Sequence, residues 1–196
     1  MDKDILEIKE YARINNVPIM MDDGIEFLLE YIKKNNILNI LEIGTAIGYS
    51  SIMMARVNKN IKITTIERDI NRYREAIKNI NKLKLNDQIT VILDDAFNVD
   101  VNSTFDLIFI DAAKAQNIGF FEKFTPNLKV SGAVITDNLN FHGMVDVSEK
   151  DIKSRNVRGL VRKIKKYIEY LKNNSKFDTT FYSIGDGISI SIKKES

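Results

Sequence analysis

Five acidic residues each close an apolar run in this chain: Glu42, Glu67, Asp95, Asp111 and Asp137. A carboxylate in such a place can accept from both hydroxyls of a ribose, a task open to Glu67, which lies 23 residues after Gly44. Asp95 and Ala96 can read the edge of an adenine, the carboxylate accepting from the exocyclic amine and the backbone N–H donating to a ring nitrogen. Asp111 and the adjacent pair Asp137-Asn138 offer two carboxylates and a carboxamide oxygen. These are hard donors, suited to Mg²⁺ or Ca²⁺ rather than zinc. Lys114, one turn beyond Asp111, can point at the same place. A cation together with a lysine lowers the pKa of a hydroxyl and removes its proton. The plain structural alternative at any one position is an Asp capping the following helix. Five such residues on one edge weaken that alternative.

These residues need a scaffold that sets strand ends side by side. Residues 37–41 are apolar except for Asn39, residues 41–50 read Leu-Glu-Ile-Gly-Thr-Ala-Ile-Gly-Tyr-Ser, and residues 51–55 suit a helix. Strand, Gly-bearing turn and helix form the opening unit of an open α/β sheet. Gly44 and Gly48 let the backbone turn sharply and approach a ligand, and the helix start offers free N–H groups. Glu42 sits at the strand end, close to whatever binds. The pattern E-x-G-x-x-x-G lacks the third glycine of G-x-G-x-x-G and departs from a NAD site.

The rest of the chain repeats this unit. Helices are expected over residues 3–15 and from Asp22 or Asp23, as cap, to about residue 35, with Pro18-Ile19-Met20-Met21 between them as a lid segment or a plain interhelical loop. Further strands are expected at 61–66, 89–93, 105–110 and 133–136. Helices are expected at 69–83, 117–128 (closed by a turn at 129–132) and 156–171. The alternation predicts a parallel sheet buried on both faces. Residues 177–182 and 187–192, around Gly185-Asp186-Gly187, read as an antiparallel pair. The expected class is α/β: a mostly parallel seven-stranded sheet with helices on both faces, in one domain over 1–196, with N-terminal helices and lid at 1–36 and the core at 37–196.

Composition narrows the classes. The chain is 44% hydrophobic and 29% charged, as in a soluble globular domain, and has no apolar run of membrane-spanning length. With no Cys, disulfides, thiolate metal sites and Cys nucleophiles are excluded. The charged, helix-patterned N-terminus is no signal peptide, so a cytoplasmic protein is expected. The net charge of +2 does not by itself imply nucleic acid, but residues 148–176 hold ten Lys/Arg against three Asp/Glu, leaving the remainder acidic. On the helix expected there, Val157, Leu160, Val161, Ile164, Ile168 and Leu171 form one stripe, while Arg158, Arg162 and Lys165-Lys166 fall on another face. A solvated amphipathic helix is one reading. The other is a basic flank to the site, where Arg155, Arg158 or Arg162 holds RNA phosphates while a base is read in the pocket.

The E-x-G-x-x-x-G stretch, with Phe109-Ile110-Asp111-Ala112-Ala113-Lys114 and Thr136-Asp137-Asn138, resembles the metal-dependent class I S-adenosylmethionine (SAM) O-methyltransferases of the catechol and caffeoyl-CoA type, from about residue 10 to 193. Within that group, residues 16–20, the basic helix and Gly185-Asp186-Gly187-Ile188 resemble the bacterial tRNA 5-hydroxyuridine methyltransferases. The resemblance implies a Rossmann-like methyltransferase fold and SAM contacts from Met20, Glu42, Gly44, Ser50, Glu67, Asp95, Ala96 and Asp111. It implies Mg²⁺ on Asp111, Asp137 and Asn138, deprotonation assisted by Lys114, a tRNA anticodon loop as partner, and a homodimer. Neither DNA nor a membrane is implied. Two departures stand out: a leading helix of longer relatives is expected to be missing, and Asn156, Val157 and Gly159 dilute the basic helix. His142, the only histidine, could line the substrate mouth or be a loop residue without a role. The rival expectations are a small catechol-like or caffeoyl-CoA-like diol as substrate, and a non-catalytic RNA- or nucleotide-binding module.

Overall fold

A computed structural model describes residues 2–112, 114–148 and 150–195. Five parallel strands form most of the sheet: β1 (Asn39–Ile43), β2 (Lys62–Glu67), β3 (Ile89–Leu93), β4 (Phe105–Ile110) and β5 (Leu128–Thr136). The antiparallel strands β6 (Phe177–Tyr182) and β7 (Ile188–Lys193) complete the order β3-β2-β1-β4-β5-β7-β6. The chain runs outward from β1 to β3 and then returns to β4 on the other side of β1. That reversal opens a crevice beyond the carboxyl ends of β1 and β4, where open α/β sheets bind ligands.

Register brings the strand ends together. Ile43 pairs with Ile66 and with Ile110, and Ile110 pairs with Thr136. Gly44, Asp111 and Asp137 therefore stand side by side, one residue past the last pairs.

Six helices cover the sheet among the described residues. On one face α1 (Lys3–Ile14), α2 (Asp22–Lys34), α3 (Tyr49–Ala55) and α4 (Ile70–Lys82) bury Ile8, Leu28, Ile52 and Ile80 against Ile40, Leu107 and Phe109. On the other, α5 (Asn117–Phe124) and α6 (Arg155–Lys172) bury Phe121, Phe124, Ile164 and Leu171 against Leu41, Ile108 and Val134. Truncating a fully buried side chain such as Leu28 to Ala costs about 2–5 kcal/mol in such a core.

Several local expectations are corrected. Met21, not Asp22 or Asp23, precedes α2 and makes no side-chain cap. Asp22 and Asp23 lie in the first turn, where carboxylates still favour the positive helix end. The helix expected over 117–128 stops at Phe124, because Pro126 cannot donate the next helical hydrogen bond; residues Thr125–Asn127 form a 3₁₀ turn instead. The turn expected at 129–132 lies inside β5 as an irregularity: the pairing with β4 shifts between Phe105 and Leu107, and Ser131 adopts φ 61°. On α6 the buried set is Val161, Ile164, Tyr167 and Leu171, so Val157, Leu160 and Ile168 are only half-buried. Tyr167 takes their place because its hydroxyl finds Thr136 Oγ1 at 2.8 Å.

Candidate active site

A cleft of about 270 Å³ opens at the strand ends. Gly44 and Ala46 from the β1–α3 turn, Glu67 after β2, and Asp95 and Ala96 after β3 form one half of its wall. Asp111, Lys114 and Asn138 form the other, with Pro18 and Ile19 of the segment before α2 across the opening. Thus three of the five carboxylates singled out in the sequence, Glu67, Asp95 and Asp111, meet at one cavity, although they stand at or just past the ends of three different strands.

Turn geometry explains the glycine. Gly44 has φ 104°, and a Cβ there would stand 2.3 Å from the Asp111 carbonyl oxygen. The β1 and β4 ends can approach this closely only without a side chain. Ala46, at φ 47°, is held by Glu67: its N–H donates to Glu67 Oε2 at 2.8 Å, while the Asp69 N–H donates to Oε1 at 2.9 Å. Glu67 is thereby fixed beside the cleft. Asp95 Oδ1 accepts the Phe97 N–H at 2.9 Å, and Arg68 lies 3.7 Å from Oδ2.

Four site residues expected from the sequence stand behind the wall instead of in it. Glu42 is fully buried, and its carboxylate accepts from Ser50 at 2.5 Å, from Thr65 at 2.6 Å and from Ser51. Burial pushes its carboxyl up to about 7 despite the three hydroxyls, which favour the charged form. Ser50 spends its hydroxyl on Glu42. Met20 packs in the core, its side chain against Gly24. Asp137, 5% exposed, stands just behind Asn138. Sequence reasoning missed Arg68, Arg72, Gln116 and Phe120, which also line the cleft. Phe120 had a signal in its position on the inner face of α5; the arginines, in a charge-rich helix start, had none.

Asp111, Asp137 and Asn138 do converge. The Asn138 amide nitrogen donates to Asp111 Oδ1 at 3.0 Å and to Asp137 Oδ2 at 2.9 Å. Burial raises the Asp111 carboxyl above its ordinary range, with Lys114 opposing. Burial and the Asp111 charge push Asp137 up to about 7. A buried carboxylate, Asp137, beside a half-buried one, Asp111, is a costly arrangement that a cation between them relieves. Rotating the Asn138 amide would replace its donor by an acceptor oxygen, completing a hard-oxygen set, so these residues fit a divalent cation. The set contains two acids only, and among the described residues no three His, Cys, Asp or Glu gather for an ion. Lys114 Nζ lies 5.8 Å from the Phe141 ring centre at the same end of the cleft.

The basic residues lie apart from the wall. Arg155, Gly159, Leu160 and Lys163 of α6 line a separate shallow groove with Ala115, the neighbour of Lys114 and Gln116. The Arg158 guanidinium is turned inward, donating to the Ile152 carbonyl at 2.7 Å. Arg162 is exposed on the same helix. No helix among the described residues is long and apolar enough to cross a membrane.

Sheet order, the cleft at the β1–β4 reversal and the acidic strand ends together define a Rossmann-like methyltransferase fold. Comparison with known proteins gives the family. The sequence model of the O-methyltransferase family matches residues 3–194, and the chain belongs to that family, as a SAM-dependent O-methyltransferase of the caffeoyl-CoA and catechol type. A Staphylococcus aureus protein given provisionally as a caffeoyl-CoA O-methyltransferase is 42% identical, with a TM-score of 0.92 over 98% of this chain and 93% of that one. An O-methyltransferase from Bacillus cereus, solved with S-adenosylhomocysteine, is 25% identical, with a TM-score of 0.85 over 99% and 92%. Caffeoyl-CoA O-methyltransferase of Populus kitakamiensis is 25% identical over 190 residues, 93% of this chain and 80% of its own. These relationships overturn the expectation of a non-catalytic nucleotide-binding module.

Proposed function

We propose that the protein methylates one hydroxyl of a pair of adjacent oxygens, with a divalent cation at Asp111, Asp137 and Asn138. The observation that carries this reading is the convergence of those three side chains, two of which, Asp111 and Asn138, line the cleft together with Glu67, Asp95 and Ala96. Glu67 would accept from the ribose hydroxyls of SAM, Asp95 and Ala96 would hold its adenine, and Gly44 would leave room for its methionine end. A cation bound there would lower the pKa of the substrate hydroxyl and fix its orientation. Lys114 would help take up the hydroxyl proton. The substrate oxygen then attacks the methyl carbon in line as the carbon–sulfur bond breaks, leaving S-adenosylhomocysteine; positioning supplies much of the rate.

For the substrate we favour the 5-hydroxyl of wobble 5-hydroxyuridine in tRNA, giving 5-methoxyuridine; the neighbouring carbonyl oxygen makes the pair. What supports it is the basic groove of Arg155 and Lys163, which Ala115 also lines, between the cleft residues Lys114 and Gln116 in the chain. The second reading is a small catechol-like or caffeoyl-CoA-like diol, favoured by the activities for which the relatives are named. Incubation with SAM and either a catechol or tRNA carrying 5-hydroxyuridine separates the two. Methylation of the tRNA alone supports the first reading and methylation of the catechol alone the second, and full activity in EDTA would overturn the cation. Nucleoside mass spectrometry of cells lacking the protein should show 5-hydroxyuridine accumulating as 5-methoxyuridine disappears.

A further inference from the structure

The turn between β6 and β7 carries a buried carboxylate that methyl transfer leaves without a role. Asp186 is 5% exposed. Its Oδ1 accepts the backbone N–H of His142, and its carbonyl accepts the N–H of Asn140 at 2.7 Å. The next carbonyl, of Gly187, accepts the N–H of Leu139 at 2.9 Å. Three amides of the segment that follows Asn138 are therefore held by two residues of the C-terminal hairpin. Gly187 has φ 86°, and a Cβ there would stand 2.8 Å from the Asn140 nitrogen, so the contact requires glycine.

The held segment is one that needs holding. Asn138, Phe141 and His142 have φ of 67°, 47° and 55°, a left-handed region that Asn and His enter more readily than other side chains but that is uncommon for a bulky Phe, so three such residues within five positions need support from their surroundings. The other side of the turn is anchored: the Gly185 N–H donates to Asp23 Oδ2 at 3.0 Å, at the start of α2. Asp186 gains little for itself from this. Its Oδ2 is buried without a hydrogen-bond partner among the described residues and lies 3.7 Å from His142 Nδ1, and its charge also bears on Asp137. A half-satisfied buried carboxylate whose charge bears on Asp137 is a cost that calls for a compensating use.

We propose that Asp186 is a positioning residue for methyl transfer: by holding the 139–142 backbone it keeps Asn138 between Asp111 and Asp137, and Phe141 beside Lys114. The inference rests on the reading of those three residues as cation donors. Its test uses Asp186→Ala, Asp186→Asn, Gly187→Ala and His142→Ala in the full chain. The readouts are kcat on whichever of the two substrates is methylated, Mn²⁺ affinity by electron paramagnetic resonance, SAM affinity by calorimetry and amide exchange over 139–142. Asp186→Ala should lower kcat and Mn²⁺ affinity about tenfold or more, the effect typical of residues that orient ligands, and speed amide exchange. SAM affinity should stay within about twofold, since Glu67, Asp95 and Ala96 belong to other strands; the same ~tenfold range sets the contrast. Asp186→Asn keeps an acceptor for the His142 N–H and should recover most of the loss. His142→Ala keeps that N–H and should behave as wild type.

Wild-type kcat, Mn²⁺ affinity and exchange in Asp186→Ala would overturn the inference. So would an Asn variant as poor as the Ala one, or a loss of SAM affinity equal to the loss of kcat. Should Asp186→Ala fail to fold, Gly187→Ala decides: it keeps the carboxylate but displaces Asn140, and must show the same selective loss. If wild-type protein takes up no Mn²⁺, the cation reading fails, while a selective kcat loss with faster exchange still supports the positioning role.

Discussion

Asn138 donates to Asp111 Oδ1 across 3.0 Å, although the two residues are 27 positions apart. The contact follows from the register of β4 and β5, which pairs Ile110 with Thr136 and sets the next residues side by side. It places an amide where the buried Asp137 carboxylate and the half-buried Asp111 carboxylate would otherwise face each other.

That arrangement predicts how the site responds to substitution. Asp111→Ala and Asp137→Ala should each reduce kcat by more than the 10–100-fold typical of residues that merely orient metal ligands, ~100-fold or beyond. Thermal midpoints should hold or rise, because a desolvated charge is removed. Steady-state kinetics with thermal melts check this; a variant that loses activity only by unfolding would contradict it.

Gly44→Ala should be among the most damaging substitutions for stability. The new Cβ meets the Asp111 carbonyl at 2.3 Å and the backbone has φ 104°, so β1 and β4 must part. A loss of roughly 3 kcal/mol or more is expected, the range reserved for strain combined with overpacking. Urea unfolding measures it.

Glu42 predicts a pH dependence of stability. Its carboxyl is raised from 4.5 to about 7, so between those values the folded chain binds a proton that the unfolded chain has released. Its contribution is present in full below pH 4.5 and is lost as the pH rises through about 7; the whole change is on the order of 3 kcal/mol. Glu42→Gln should flatten that slope and be the more stable form at pH 8. Denaturant melts at pH 5 and pH 8 compare the two.

Arg155→Glu with Lys163→Glu should abolish tRNA methylation and leave turnover of a catechol unchanged, because the pair lines the α6 groove and not the cleft. Binding measured against salt should show a shallower slope, by roughly one unit or a little less for each phosphate that is no longer neutralised. Arg158→Glu should act differently, loosening the chain at Ile152, to which its guanidinium donates. Equal losses on both substrates would place the groove outside RNA recognition.

The strands, the helices and the edge that would carry the site were legible in the chain because they depend on local pattern: apolar runs of strand length, a 3.6-residue period and an acid after each run. Departures came where a neighbour outvoted the local pattern. Pro126 ended α5 early, and the 129–132 turn was drawn into β5 by pairing with β4. Tyr167 displaced aliphatic residues on α6 because a hydroxyl partner awaited it on β5.

The sequence by itself determined the class: the E-x-G-x-x-x-G stretch and the segments around Asp111 and Asp137-Asn138 carry the resemblance to SAM-dependent O-methyltransferases that the family match bears out, since residue types and short spacings are local facts. Only the tertiary structure decided which carboxylates face the cleft. Glu42 and Glu67 look alike in the chain, but one is enclosed by Ser50, Ser51 and Thr65 and the other is held open to the cavity by two backbone amides. Likewise Arg158 and Arg155 share a helix and differ in what they meet. A side chain's partners are set by elements far away in sequence, and no local pattern encodes the direction in which it is solvated.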